Sequence, residues 1–217
     1  MGLADVAIAA WEHALRFDPS DLTWSARDRF VLSCGHASML LYSLLHLYQT
    51  GLSRADLEAF RQLDSLTPGH PEVGHTPGVE VTTGPLGQGC ATSVGLALGA
   101  RLRAERITEA GGGEAHPWSE VRTTVICSDG DLMEGVSYEA AALAGHWGLG
   151  DLLWLYDDNK ITIDGETSLA WSEDVEARFK AVGWQVLYAD GHDPEALKVQ
   201  LEVARAHRAQ PTLVICR

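Results

Sequence analysis

Two short runs carry hard oxygen ligands, Ser128-Asp129-Gly130-Asp131 and Tyr156-Asp157-Asp158-Asn159. Each follows an apolar run of strand character, so each falls just past the carboxyl end of an expected strand. In open α/β sheets, ligands bind in the crevice outside those ends. One βαβ unit takes ~30 residues, and that is the separation of Asp129 and Asn159, so neighbouring strands can aim both at one point. A carboxylate and an amide oxygen suit Mg²⁺ or Ca²⁺, and Mg²⁺ fills its other positions with water and substrate phosphate. Asp and Asn also cap turns, and spacing alone leaves both readings open.

A second motif, Gly84-Pro85-Leu86-Gly87-Gln88-Gly89, lies directly before a long helical pattern. Glycine lets backbone approach a ligand closely, and a helix amino end favours an anion. The spacing is neither the dinucleotide fingerprint nor a P-loop, and a plain tight turn accounts for it equally. His36, in Cys34-Gly35-His36, and His70, in Pro68-Gly69-His70-Pro71, are loop histidines. Loop residues carry function more often than core ones. A zinc site from His36, His70 and His75 lacks any standard spacing. His46 and His146 fall inside helical patterns and read as structural. Glu134 follows the metal candidate and reads as a surface carboxylate or one buried at a partner interface.

These residues need a scaffold. Helices are expected over 3–16, 39–49, 53–61, 88–109, 137–147, 173–182 and 194–207, and strands over 29–32, 122–127, 152–156, 184–188 and 212–216. Ser53 with Asp56 resembles a capping box, and Asp193-Pro194 starts a helix. The stretch 62–89 is rich in Gly and Pro and nearly aperiodic. Loops of that length inside a compact domain are usually functional or disordered, and the absence of low-complexity sequence favours function. Residues 110–114 read as a flexible surface link. Strands alternating with helices predict a mostly parallel sheet covered by helices on both faces, with no internal boundary.

The composition agrees. The 217 residues are 46% hydrophobic and 21% charged, with a net charge of −14. Such a field repels nucleic-acid backbones, and an anionic ligand then needs a metal or backbone N–H groups. No apolar run reaches the ~18 residues of a membrane helix, and the amino end has no signal-like basic segment. A soluble, cytoplasmic protein is expected. Cys34, Cys90, Cys127 and Cys216 form no C-x-x-C pair and read as buried, reduced thiols.

Four stretches together resemble the transketolase family across essentially the whole chain. They are 29–40 around His36, 61–72 around His70, Thr82-Thr83-Gly84-Pro85-Leu86-Gly87-Gln88-Gly89, and Asp129-Gly130…Glu134-Gly135 with Asp157-Asp158-Asn159-Lys160-Ile161. The resemblance implies an α/β thiamine diphosphate-binding fold, with residues 1–217 as its diphosphate-binding domain. Asp129, the Asn159 side chain and the Ile161 carbonyl would hold Mg²⁺ (or Ca²⁺) against the cofactor diphosphate, and Gly130 and Asn159 would touch that diphosphate. Gly84, Pro85 and Leu86 would add cofactor contacts. His36 would hydrogen-bond diphosphate or substrate, and His70 would line the donor-sugar channel. Glu134 would join a carboxylate network across a dimer. The implied activity is transfer of a two-carbon ketol unit between sugar phosphates. It needs a pyrimidine-binding domain or subunit that this chain lacks, in a homodimer or heterotetramer, and the chain is expected to be clipped at both ends relative to the family domain and inactive alone.

There are departures. Ser128 stands where the family has Gly, and its hydroxyl is expected to crowd or contact the diphosphate. Asp131 stands where a small neutral residue is expected, and it would tighten the metal or face solvent. Three rival readings follow: a non-catalytic scaffold of the same fold, another thiamine diphosphate sugar-phosphate enzyme, and a Mg²⁺ phosphohydrolase using Asp129 and Asp131.

Overall fold

The computed structural model describes residues 2–111 and 116–217. Five parallel strands form one sheet in the order β1-β2-β3-β7-β6, where β1 is Arg29–Leu32, β2 Thr123–Ser128, β3 Leu152–Asp157, β6 Gln185–Ala189 and β7 Thr212–Cys216. Side chains alternate between the two faces, as strand geometry requires. Phe30, Leu32, Ile126, Leu153, Leu155 and Val214 join one core with α1 (Ala4–Ala9), α2 (Ser38–Leu47) and α8 (Pro194–Ala206). Val31, Val125, Cys127, Trp154, Tyr156 and Ile215 face the other way. There they meet α4 (Gln88–Ala110), α6 (Gly135–His146) and α7 (Val175–Ala181). Covering both faces explains why β3 and β7 read as nearly continuous apolar runs, and it bears out the expected fold class. All four cysteines are free and buried. Burial pushes the Cys216 thiol up to about 12.

Several elements differ from the sequence expectation. The first helix widens into a π-helical turn at Ala10–Ala14, which seats Trp11 among Phe17, Phe30 and Tyr48. The Ser53–Asp56 capping box is present, but α3 (Arg54–Glu58) stops early. Arg61 is left-handed (φ 63°), and its N–H donates to the Thr67 carbonyl. Helix α6 begins two residues before the expected 137. A five-residue helix, α5 (Asp129–Met133), and a small hairpin of β4 (Ile161–Thr162) and β5 (Gly165–Glu166) were not anticipated. All are too short for periodicity to register. Most of the expected 110–114 link lies outside the described residues.

Helix α6 packs on the turn before β6 through a glycine. A Cβ at Gly145 would overlap the Val182 carbonyl oxygen. Alanine normally favours a helix over glycine by about 1 kcal/mol. Here Gly145→Ala reverses that sign and destabilises by about 3 kcal/mol, because backbone cannot give way cheaply. Urea unfolding of the two proteins measures the difference.

Candidate functional site

The ends of β2 and β3 meet in register, Ser128 opposite Asp157. Asp129 begins α5 and is 2% exposed. Tyr156 is the last residue but one of β3. Its hydroxyl donates to Asp129 Oδ1, and it also reaches Asp158 Oδ1 at 3.1 Å. Asp129 Oδ2 is buried and has no hydrogen-bond partner. Desolvation raises the Asp129 pKa, the Tyr156 hydrogen bond opposes it, and Asp158 adds to the rise. Asp157 is raised as well, chiefly by desolvation, and Tyr156 is pushed far up by burial and its carboxylate neighbours. Asp158 is neutralised by Lys160 and Arg217. A buried carboxylate oxygen just past a strand end, without a donor, is suited to a hard cation.

Asn159 is exposed and closes a local turn. Its Oδ1 accepts from Ile161 N at 2.9 Å, and its Nδ2 donates to Asp157 Oδ2 at 2.7 Å. The turn-cap reading therefore holds in this structure. An amide oxygen has two lone pairs, so Oδ1 keeps one for a ligand.

The glycine loop packs against the turns bearing His36 and His70 and against the segment from Gly130 to Glu134. A Cβ on Gly35 would lie 2.7 Å from Gly84 N, and one on Gly84 would lie 3.2 Å from His70 Cγ. The turns bearing His36 and His70 thus converge on Gly84, with both imidazoles exposed. Thr83 Oγ1 donates to the Leu32 carbonyl at 2.8 Å. The His70 loop is fastened to α2, where Ser38 Oγ donates to the Gly69 carbonyl and Tyr42 OH to the Pro68 carbonyl. Leu86 lies over Gly130, where a Cβ would come 2.8 Å from Leu86 Cδ1. Gly87, at φ +80°, sits against Glu134, whose Cβ would be 2.8 Å from an added Cβ. Pro85 is exposed beside them. His36, His70, Gly84, Leu86, Gly130 and Glu134 therefore share one surface at the carboxyl end of the sheet.

Two expectations are corrected. Asp131 neither faces solvent nor has an oxygen free for a metal. It is 0% exposed. Its Oδ1 accepts from Ser33 Oγ (2.7 Å) and Gly87 N (2.8 Å), and its Oδ2 from Ser128 N (3.0 Å) and Ser128 Oγ (3.1 Å). A carboxylate has about four acceptor positions, and these are taken. A phosphohydrolase that needs Asp131 as ligand or nucleophile is excluded. Ser128 Oγ, bound to Asp131, is directed into the protein rather than at a diphosphate. The anion at the amino end of α4 is likewise the protein's own carboxylate, through Gly87 N–H. Among the described residues no three His, Cys, Asp or Glu side chains gather as a metal group, and His75 Nε2 lies 2.8 Å from the Ser65 carbonyl instead. That disposes of the zinc reading. A set built from one carboxylate, one amide and one carbonyl is of a different kind.

Ser33 and Tyr156 were not singled out in the sequence. Both sit at strand ends beside flagged residues, which was the available signal.

The sequence matches the family model described as "Transketolase, thiamine diphosphate binding domain" over residues 1–217. The chain belongs to the transketolase family. Transketolase 2 of Escherichia coli is 50% identical over 218 residues, covering 100% of this chain and 32% of that protein. The transketolase of Geobacillus stearothermophilus is 52% identical over 215 residues, covering 99% of this chain and 32% of that protein. The structure of transketolase from Leishmania mexicana superimposes with a TM-score of 0.94 at 43% identity, over 100% of this chain and 32% of that one. A Pichia stipitis transketolase solved with sedoheptulose-7-phosphate gives 0.91 at 47%, over 99% and 31%. The chain thus spans about a third of the length of these transketolases, and the part it matches is the family's thiamine diphosphate binding domain. Among the described residues of this transketolase-family chain, no helix is long and apolar enough to cross a membrane.

Proposed function

We propose that this chain grips the diphosphate end of thiamine diphosphate through a divalent cation, in an enzyme that moves a two-carbon ketol unit from a ketose phosphate to an aldose phosphate. The observation that carries this is the buried, unpartnered Asp129 Oδ2 just past the carboxyl end of β2, beside Gly130, over which Leu86 of the glycine loop packs. Asp129, Asn159 Oδ1 and the Ile161 carbonyl would hold the cation, with Mg²⁺ the expected ion. When bound, the cofactor supplies a centre that stabilises a carbanion.

The chain's own residues do the rest. Gly84, Pro85, Leu86 and Gly130 offer close backbone approach to the diphosphate. His36 donates a hydrogen bond to diphosphate or sugar. His70, held on Gly84, lines the route for the donor sugar. Glu134 presents a carboxylate beside Gly87 for contact with a second copy of the domain. An anionic ligand can bind a chain of net charge −14 because a cation and backbone N–H groups intervene. The whole activity requires a pyrimidine-binding region, in this polypeptide or a partner, in an assembly of two such units in the cytoplasm. Ser128, one of the features that motivated a non-catalytic scaffold, turns toward Asp131, so its hydroxyl does not favour that reading.

The test is calorimetric titration of thiamine diphosphate with Mg²⁺ and with EDTA, then a ketol-transfer assay with the pyrimidine-binding region co-expressed. Binding only with Mg²⁺, and transfer only with both parts, is expected. Metal-independent binding, or none, overturns the proposal.

A further inference from the structure

We propose that Asp131 is a positioning residue that holds three loops of the cofactor cradle in register. Its role toward the cofactor rests on the function proposed above. The carboxylate bridges positions far apart in sequence: Ser33 after β1, Gly87 before α4 and Ser128 at the end of β2. All four of its donors are neutral. A buried charge is costly unless fully hydrogen-bonded, and a fully satisfied buried network holds its members rigidly. The carboxylate also faces the amino end of the 23-residue α4, where the helix dipole favours an anion. Ser33 Oγ passes the contact on by accepting from Cys90 N at 3.0 Å, which fixes the first turn of α4.

The consequences for the site are geometric. Gly87 is held by Asp131, so Leu86, its neighbour, is held over Gly130, next to the metal carboxylate Asp129. Ser33 is held by Asp131, so the Gly35-His36 turn is held on Gly84. The Thr83–Leu32 hydrogen bond joins two of these segments, and Asp131 adds the end of β2. Because Gly87 N–H points at Asp131, the diphosphate is left to the Gly84–Leu86 and Gly130 side of the cradle.

In Asp131→Asn the amide nitrogen sets a donor against two donors. Ser33→Ala keeps the carboxylate and removes its link to the His36 turn, together with the acceptor for Cys90 N, so it reports on the same role if Asp131→Asn does not fold. Hydrogen–deuterium exchange of the ligand-free proteins should show about tenfold faster exchange in 33–38 and 84–89 of Asp131→Asn, with β7 unchanged. At saturating Mg²⁺, thiamine diphosphate should bind about tenfold or more weakly to Asp131→Asn, and a few-fold more weakly to Ser33→Ala. Wild-type loop exchange, a rise spread evenly through the sheet, or wild-type cofactor affinity in folded Asp131→Asn would each overturn the proposal. If the wild type itself binds no thiamine diphosphate while the loops still loosen in Asp131→Asn, the function proposed above falls and the loop-holding role stands.

Discussion

Asp129→Asn weakens Mg²⁺-dependent thiamine diphosphate binding by about 100-fold or more, yet the ligand-free protein loses no stability at neutral pH. The two effects have one cause. Asp129 Oδ2 is buried without a donor, and desolvation raises the carboxyl pKa. A group whose folded pKa lies above its unfolded value makes the native state bind more protons, so its contribution falls as pH rises through the folded value. At pH 7, above the unfolded value, the raised pKa is therefore a net cost to the ligand-free fold. Asparagine removes that cost and keeps an oxygen for the Tyr156 hydroxyl. A cation reverses the balance, because it is the partner that Oδ2 lacks. Mg²⁺ with cofactor should raise the wild-type melting temperature by mass action and raise that of Asp129→Asn much less at the same concentrations. Differential scanning calorimetry with and without the ligands reads both arms. A variant stabilised by Mg²⁺ and cofactor as much as the wild type would remove Asp129 from the metal site.

Under the proposed function, Gly35→Ala is expected to lower ketol transfer in the assay with the pyrimidine-binding region co-expressed by about 100-fold, because displacements near 1 Å cost that much in a positioned site. The added methyl would stand 2.7 Å from Gly84 N and 2.8 Å from Thr83 C. These are backbone atoms, tied to β1 through the Thr83–Leu32 hydrogen bond, so they cannot rotate aside. The His36 turn must lift from the glycine loop, at a stability cost of about 1–3 kcal/mol. His36 and Gly84 then no longer share one surface. Gly51→Ala is not a matched control, since its φ of +104° is itself unfavourable to a side chain. Gly95→Ala, with nothing within 4 Å of the added Cβ, is the proper comparison and should keep full turnover. Turnover and urea midpoint measured on both variants separate the local effect from a global one.

The sheet and its two helical layers were readable in the sequence because long periodic and long apolar segments report burial directly. Asp129 and Asn159 were readable for the same reason, each lying where a strand had to end. The convergence of His36, His70 and Glu134 on the glycine loop was not derivable from spacing, and entered only through family resemblance. Asp131 shows the limit most clearly. Its sequence context, one residue past Gly130, is that of an exposed turn carboxylate. Its partner Ser33 is 98 residues away, and no local pattern encodes that pairing.

The order of residues was enough to set which segments become strands, which faces become core, and which side chains stand at strand ends, because these follow from local sterics and from hydrophobic period. The packing of three loops around one carboxylate had to come from the folded chain. So did the choice of Asp129, rather than Asp131, as the carboxylate with a free oxygen. Both depend on which buried donors happen to reach which acceptor, and hydrogen bonds between distant segments exist only once the sheet has brought those segments together.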